Sequence, residues 1–202
     1  MNRLRYVMLL LPLAALALWS YLYAYDRQVW WTEMSTVFLL VPLYLWLDAT
    51  GRCRLSLLAS LVLFLWFYLQ VVGACYTFER VPFDFIGKLF GCERNHYDRV
   101  AHFVVGVNAV GIAEILWQKR LVATRAVAAA AAVVAIMALA NFWELVEWLY
   151  AEWDGGTAGA AFLGSQGDVW DAQKDMLMDT LGALLGSGLF LVCSLARRSD
   201  SI

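Results

Sequence analysis

Long apolar runs without a charged residue constrain the fold of this chain more than any other feature of its sequence. The first run covers twenty residues between Arg5 and Asp26. A helix of about twenty apolar residues crosses the ~30 Å hydrocarbon core of a bilayer. Similar runs recur along the chain, and 62% of its residues are hydrophobic, well above the roughly 45–50% of soluble domains. The sequence therefore predicts an integral membrane protein.

Six such runs account for the whole chain, so we expect a single integral membrane domain over 1–202 and an all-α fold. The predicted bundle has six transmembrane helices, at about 6–25, 31–48, 55–78, 97–117, 126–150 and 171–196. The first run ends in Tyr21, Tyr23 and Tyr25, which are typical of a membrane interface. A cleavable signal peptide would end in a small-residue cleavage site, so we expect this helix to be retained.

The distribution of Lys and Arg predicts the orientation of the bundle, because these residues are retained on the cytoplasmic side. They cluster at both termini and in every second connection. The clusters are Arg3 with Arg5, Arg52 with Arg54, Lys119 with Arg120 and Arg125, and Arg197 with Arg198. The other connections are richer in acids, among which we count Glu33. Six spans with both termini in the cytoplasm satisfy the whole pattern, so we expect a multi-pass membrane protein.

Charge and cysteine content exclude several other classes of protein. Fifteen basic residues against seventeen acidic ones give a net charge of -2, so we expect no nucleic-acid partner. The four cysteines form no CxxC motif, which argues against a zinc ribbon or a redox site. Cys75 and Cys92 both lie toward the outer side, where they could pair or remain as small buried thiols.

The last three predicted helices carry ionisable residues at one depth, near their outer ends. Helical spacing places the residues of each helix on one face. They are Asp98 and His102 in the fourth helix, Asn141, Glu144 and Glu147 in the fifth, and Asp171, Asp175 and Asp179 in the sixth. Ionisable groups inside a membrane are costly and usually functional. We therefore predict a site where these three helices meet.

The excess of acids in this site demands compensation, because like charges a few ångströms apart cannot all remain ionised. Protonation, a bound metal cation, or basic side chains reaching in from the loops would each provide it. Oxygen ligands with one imidazole suit Mg²⁺, Mn²⁺ or Zn²⁺. The predicted metal ligands are Asp98, His102, Glu144, Glu147, Asp171, Asp175 and Asp179, and all except Asp171 are also candidate catalytic residues. Taken singly, each has a structural interpretation, such as a helix cap or a buried hydrogen bond.

Gly182 and Gly186 continue the stripe of aspartates along the sixth helix. A small-xxx-small spacing allows two helix backbones to approach closely within a membrane. We therefore expect this face to be buried against other helices rather than exposed to lipid.

Three segments resemble the YjdF-type family of bacterial inner-membrane proteins: HYDRVAHF at 96–103, ELVEW at 144–148 and GSQGDVWDAQKD at 164–175. The resemblance covers nearly the whole chain and implies a six-helix protein. A more distant VanZ-like pattern, from a family whose founding member is linked to glycopeptide antibiotic resistance, is similar at a set of six positions. These are Asp98, His102, Glu144, Asp175, Gly182 and Gly186. VanZ-like proteins usually have Gln at the position of Glu147 and Asn at that of Asp179, and the extra acids here favour a cation or proton role.

Three functions are compatible with these observations. The first is a cation-dependent membrane protein acting on a lipid or lipid-linked envelope precursor at the outer leaflet, with metal-dependent hydrolase or transferase chemistry as one form of it. The second is a proton- or ion-coupled transporter that uses the same acids as a relay. The third is a non-catalytic accessory protein whose polar cluster fixes helix packing. Substrate and oligomeric state remain open at this point.

Overall fold

The computed structural model describes residues 3–83, 91, 94–154 and 156–199, and its regular structure there is entirely helical. We number the described helices in chain order. They are α1 (Arg3–Tyr23), α2 (Arg27–Ala49), α3 (Leu57–Tyr76), α4 (Tyr97–Val107), α5 (Ala109–Gln118), α6 (Arg125–Asp154), α7 (Thr157–Leu163) and α8 (Asp171–Ser199). Cys92 lies outside the described residues, as does any pairing with Cys75.

Five stretches of the described helices are long and apolar enough to cross a membrane. They are Leu4–Tyr23, Leu57–Tyr76, Tyr97–Gln118, Arg125–Trp153 and Asp171–Ser194. The fold is therefore a helical membrane bundle, as predicted. With 23 residues α2 is long enough to span, but it is not among the five. Its first half contains four polar residues between Thr32 and Thr36, which lower its apolar character.

The helices form two packing groups that meet where α3 packs on α4. In one group α1 and α2 pack on α3 around large side chains such as Trp30, Phe64 and Phe67. In the other group α5, α6 and α8 pack through small side chains such as Ala132 and Ala183. The second group brings together the helices that carry most of the ionisable residues.

The start of α2 differs from the sequence prediction by one helical turn. Asp26 caps this helix by accepting hydrogen bonds from the backbone N–H groups of Gln28 and Val29, at 2.8 and 3.1 Å. Such a cap satisfies N–H groups that have no partner within the helix. Because α2 begins at Arg27, Glu33 lies within the helix and is buried, and our assignment of Glu33 to a connection was wrong.

The predicted fourth span, 97–117, is divided into α4 and α5 at Asn108. The Asn108 N–H donates to the Val105 carbonyl, three residues back, at 3.0 Å. This is the tighter bonding of a 3₁₀ turn, which often marks a local adjustment in a long helix. The two helices still form one continuous stretch long enough to span, Tyr97–Gln118.

Close backbone contact between α4 and α8 confirms the expectation for Gly182 and Gly186. A Cβ atom at Gly182 would overlap the Phe103 carbonyl oxygen, and one at Gly186 would overlap that of Val107. On α4, Gly106 meets the backbone of Asp179 in the same way. No larger residue fits at these positions without moving a helix, so the glycines determine how closely the two polar faces approach.

The glycine-rich connection between α6 and α8 contains the seven-residue helix α7. Gly164 ends α7 in the left-handed conformation, with φ of 60°. This conformation costs glycine little because it has no Cβ. The side chain of Phe162 packs against Trp143 and Tyr150 of α6, so α7 folds back onto the C-terminal part of that helix.

Candidate functional site

His102 lies at the centre of a polar cluster between α4, α6 and α8. Its Nδ1 is 2.8 Å from Oδ2 of Asp179, which is 1% exposed. The opposite ring nitrogen, Nε2, is 3.6 Å from Asp98 Oδ1 and 4.0 Å from Glu144 Oε1. The imidazole therefore bridges α8 on one side to α4 and α6 on the other.

Several carboxylate oxygens around His102 are buried without a hydrogen bond. They belong to Glu144 (Oε1), Asp175 (Oδ1) and Asp179 (Oδ1). A buried carboxylate oxygen without a partner is costly, so it calls for a proton, an ion or a ligand. Within the described residues, Asp98, His102 and Asp175 can each direct a ligand atom to a common point, with these atoms all within 4.8 Å of one another.

A second group of acids, next to this cluster at the N-terminal end of α8, is paired with basic side chains. Arg94 Nη2 is 2.5 Å from Asp171 Oδ1, and Arg99 Nη2 is 2.6 Å from Asp168 Oδ2. Arg99 also lies 3.4 Å from Asp171, and Lys174 Nζ lies 2.7 Å from Asp168 Oδ2. We call these five residues the arginine layer. Charge-assisted hydrogen bonds of this kind are among the stronger ones in proteins.

The arginine layer also explains the acidity of Asp168. Hydrogen bonds from Lys174, from the Trp170 backbone N–H and from Arg99 hold the pKa of Asp168 well below its usual range. The pKa of His96, just before α4, is also lowered, by partial burial and by the charges of Arg99 and Arg94. Asp168 is thus an ionised acid of the arginine layer, and the neighbouring positive charge disfavours a charged His96.

The polar cluster opens into a cavity of about 730 Å³ inside the bundle. Asp98, His102, Glu147 and Asp179 line one end of this cavity, together with Glu33 from α2. Glu33 Oε2 accepts a hydrogen bond of 2.9 Å from Gln70 Nε2, and the same amide donates to the Glu33 carbonyl oxygen at 3.2 Å. The site therefore extends to α2 and α3, beyond the three helices that the sequence singled out.

The structure brings most of the predicted site residues together. Asp98, His102, Glu144, Asp175 and Asp179 form the cluster, and Glu147 lines the adjoining cavity. Asp171 lies instead in the arginine layer. Asn141, although in register with Glu144, is exposed and stays outside the cluster. A role for these residues in metal binding or catalysis stays a prediction.

Two functional candidates were missed from the sequence, Glu33 and Arg94. The signal for Glu33 was the cap at Asp26, which starts α2 early enough to place Glu33 two turns inside the helix. Arg94 precedes α4 in the chain, and its pairing with Asp171 joins residues 77 positions apart in sequence. No periodic pattern reports such a contact.

Apolar helices around a buried polar cluster define a polytopic membrane protein with a ligand-sized cavity. A family profile described as "Predicted membrane protein (DUF2238)" matches residues 5–196, and the chain belongs to this family. The chain is 35% identical over 176 residues to the inner membrane protein YjdF of Escherichia coli (strain K12). The aligned region covers 86% of this chain and 83% of that protein. The predicted YjdF-type family and inner-membrane localisation are thus confirmed. No solved structure matches the chain.

Proposed function

We propose that the chain is a multi-pass inner-membrane protein that binds a divalent cation with the polar cluster around His102 and acts on a membrane lipid or lipid-linked precursor at the outer leaflet. The observation that carries the proposal is the convergence of Asp98, His102 and Asp175, whose ligand atoms lie within 4.8 Å of one another. Opposite ligands of an ion with bonds of about 2.0–2.4 Å lie ~4–5 Å apart.

The two nitrogens of His102 support different roles within this proposal. Nδ1 lies within hydrogen-bonding distance of Asp179, while Nε2 is directed toward Asp98 and Glu144. Histidine ligands of metals commonly donate their other ring N–H to a carboxylate, which fixes the tautomer and the ring orientation. We therefore assign Asp98, His102 and Asp175 as ligands, with Glu144 beside them and Asp179 as a positioning residue.

A cation at this place would supply two kinds of chemistry. It would polarise a phosphoryl or acyl oxygen and would make a bound water more acidic. The chain's own residues would contribute a half-enclosed setting: Glu147 and Glu33 line the cavity beside the ligands, and Glu144 keeps one carboxylate oxygen free of hydrogen bonds. Such an oxygen could accept a proton from a bound water.

The proposal includes six membrane spans with both termini in the cytoplasm. The length of α2, 23 residues, supports it as a sixth span, since that length corresponds to about 35 Å of helix. Burial of its only mid-helix acid, Glu33, against Gln70 removes the main obstacle to insertion. Labelling of single cysteines placed at residues 51, 120 and 200 should occur only from the cytoplasmic side, and labelling of any of them from the periplasm would refute this topology.

Metal binding is tested with two aspartates one helical turn apart on α8. Purified protein should bind Mn²⁺ or Zn²⁺, measured by elemental analysis and by a cation-dependent rise in melting temperature. Asp175→Asn should abolish the binding, and Asp179→Ala should weaken it by about 10–100-fold through loss of ring orientation. Asp171→Asn is the matched control, because Asp171 is already paired with arginine.

Three results would reject the cation proposal. These are wild-type protein that binds none of Mg²⁺, Mn²⁺ and Zn²⁺, equal effects of Asp171→Asn and Asp175→Asn, and full affinity in Asp175→Asn. Ion or proton flux in proteoliposomes that depends on Glu147 would instead favour the transporter alternative. Variants that change stability but leave the cellular phenotype intact would favour the accessory role.

A further inference from the structure

The cavity next to the polar cluster is elongated along the bundle. On α2 its lining begins at Glu33 and extends to Leu47, a separation of 14 residues or about 21 Å of helix. One leaflet contributes about 15 Å, half of the ~30 Å hydrocarbon core. The cavity is therefore long enough to take a lipid chain lying parallel to the helices, and its volume of about 730 Å³ is typical of ligand sites.

Between α2 and α6 the cavity has an apolar lining and opens sideways. Its walls include Leu39 and Leu43 from α2, and Leu139 and Phe142 from α6. Leu39 and Phe142 are 67% and 62% exposed, so this edge is not covered by any of the described residues. At this depth of a membrane the adjoining medium is hydrocarbon, so a lipid chain can enter directly from the bilayer.

The polar end of the cavity has an excess of acids. Glu33, Asp98, Glu147 and Asp179 line it, and His102 is the basic side chain in that lining. Asp179 is 1% exposed, and its Oδ1 accepts no hydrogen bond within the described structure. The side chains of the arginine layer do not line the cavity. A headgroup entering here meets carboxyl groups that complement a hydrogen-bond donor with positive charge.

We propose that this cavity binds an aminophospholipid, with one acyl chain in the apolar groove between α2 and α6 and its primary ammonium group among Glu33, Glu147 and Asp179. The inference rests on the proposed function, because it names the organic ligand of the same site. An ammonium offers three N–H donors and one positive charge. Since bilayer hydrocarbon is as apolar as the groove, the acyl chain adds little selectivity and the acids select the headgroup.

The test compares two lipids that share the same acyl chains. Dioleoyl phosphatidylethanolamine carries a primary ammonium, whereas dioleoyl phosphatidylglycerol does not. Added to the protein in detergent, the first should raise the melting temperature more than the second, and it should be the lipid retained in native mass spectra. Equal stabilisation and retention of the two lipids would overturn the proposal and leave only ordinary lipid solvation.

Two variants locate the bound lipid. Ala140→Phe places a ring in the groove, because Ala140 lines the cavity, whereas Ala138→Phe on the exposed side of α6 is the matched control. Glu33→Gln removes one acid from the polar end and should weaken phosphatidylethanolamine binding about tenfold, the value of one hydrogen bond to a charged group. If Ala140→Phe does not fold, Glu33→Gln carries the test. Unchanged headgroup selectivity in a folded Ala140→Phe or in Glu33→Gln would overturn the proposed position.

Mn²⁺ binding measured on the same samples separates this inference from the proposed function. Ala140→Phe should lose lipid selectivity and retain Mn²⁺, because Ala140 is not among the proposed ligands. Selective lipid binding without Mn²⁺ binding would reject the cation and support the lipid site. Mn²⁺ binding without headgroup selectivity would support the cation and reject the lipid site.

Discussion

Two groups of acids at the same end of α8 have opposite surroundings. Asp171 lies within 3.4 Å of two guanidinium groups, whereas Asp179, two turns further along the same face, is within hydrogen-bonding distance of one imidazole and keeps an oxygen without a hydrogen bond. Asp175, between them, is 3.8 Å from Arg99 and close to the His102 cluster. A stripe of aspartates on one helix face thus passes from a charge-neutralised layer to a site that still needs a positive partner.

The difference arises from which elements supply the basic residues. Arg94 lies just before α4 and Arg99 in its first turn, so they pair closely with Asp171 and Asp168 and come no nearer to Asp175 than 3.8 Å. Deeper in the membrane, basic side chains are costly, and His102 is the basic residue among the buried groups of the cluster. The arginine layer therefore has a structural role, and the acids below it are the better candidates for a ligand.

The largest expected effect comes from separating α4 from α8, which would disrupt both groups at once. Gly182→Val places side-chain atoms where the Phe103 carbonyl oxygen already lies. We expect a loss of folded protein, with a cost above the ~4–5 kcal/mol that marks exceptional substitutions. Size-exclusion profiles and thermal unfolding measure it. Gly188→Val is the control, since a Cβ there meets nothing within 4 Å, and an equal loss in that variant would contradict the close-packing argument.

Next in size is the loss of the imidazole at the centre of the inner group. His102→Ala leaves the Asp179 carboxylate, 1% exposed, without its hydrogen-bond partner, and an uncompensated buried carboxylate costs about 3–5 kcal/mol. Thermal unfolding in the presence of a chelator isolates this effect from any cation. The other histidine provides the control: His96 makes no capping hydrogen bond with its side chain, so His96→Ala should change stability by less than about 0.5 kcal/mol. Similar losses in both variants would contradict the central position of His102.

A smaller effect is expected in the arginine layer. Arg99→Gln removes a charge-assisted hydrogen bond to Asp168 and a longer contact of 3.4 Å to Asp171. Because Lys174 and Arg94 still pair with these two acids, we expect a loss of about 1.5–3 kcal/mol in total, the value of one hydrogen bond to a charged group. The melting temperature should fall while Mn²⁺ affinity stays within a few-fold of wild type. If Arg99→Gln abolishes Mn²⁺ binding as completely as Asp175→Asn, the two groups act as one site, and the distinction between them is wrong.

The smallest effect concerns Asp168, whose side chain is more exposed than those of Asp171, Asp175 and Asp179. Its pKa is lowered in the folded protein by Lys174, the Trp170 N–H and Arg99, so its stabilising contribution is complete above the unfolded carboxyl pKa of about 3.9. That contribution is lost as pH falls below this value toward the lower folded pKa. Melting temperatures measured between pH 5 and pH 3 should fall more steeply for wild type than for Asp168→Asn. Parallel curves would contradict the assigned role of its hydrogen bonds.

Local patterns predicted much of the fold and part of the site. Uncharged runs located the helices because a bilayer imposes a minimum apolar length on any span. Helical spacing placed Asp98 and His102 one turn apart on one face of their helix. It also aligned Asp171, Asp175 and Asp179 on one face, since i and i+4 neighbours share a face. The glycines of α8 predicted its close contact with another helix, although they did not identify α4 as the partner.

The break at Asn108, the helix α7 and the buried position of Glu33 lay beyond those patterns. The start of α2 depends on one cap at Asp26, and the earlier start places Glu33 in the second turn of the helix, where it lines the cavity. Sequence spacing describes neighbours within one helix. The side chains that Glu33 meets come from α3 and from across the cavity, and only helix packing determines them.

The sequence by itself determined that this protein is a helical membrane bundle with acids gathered at one depth on its last three predicted helices. These properties follow from hydrophobicity and helical periodicity, which are local. Only the tertiary structure decided which acids meet an arginine, which meet His102 and which line a cavity. Arg99 and Asp168 are 69 residues apart in the chain and His102 and Asp179 are 77 apart, and the packing of α4 on α8 brings both pairs together.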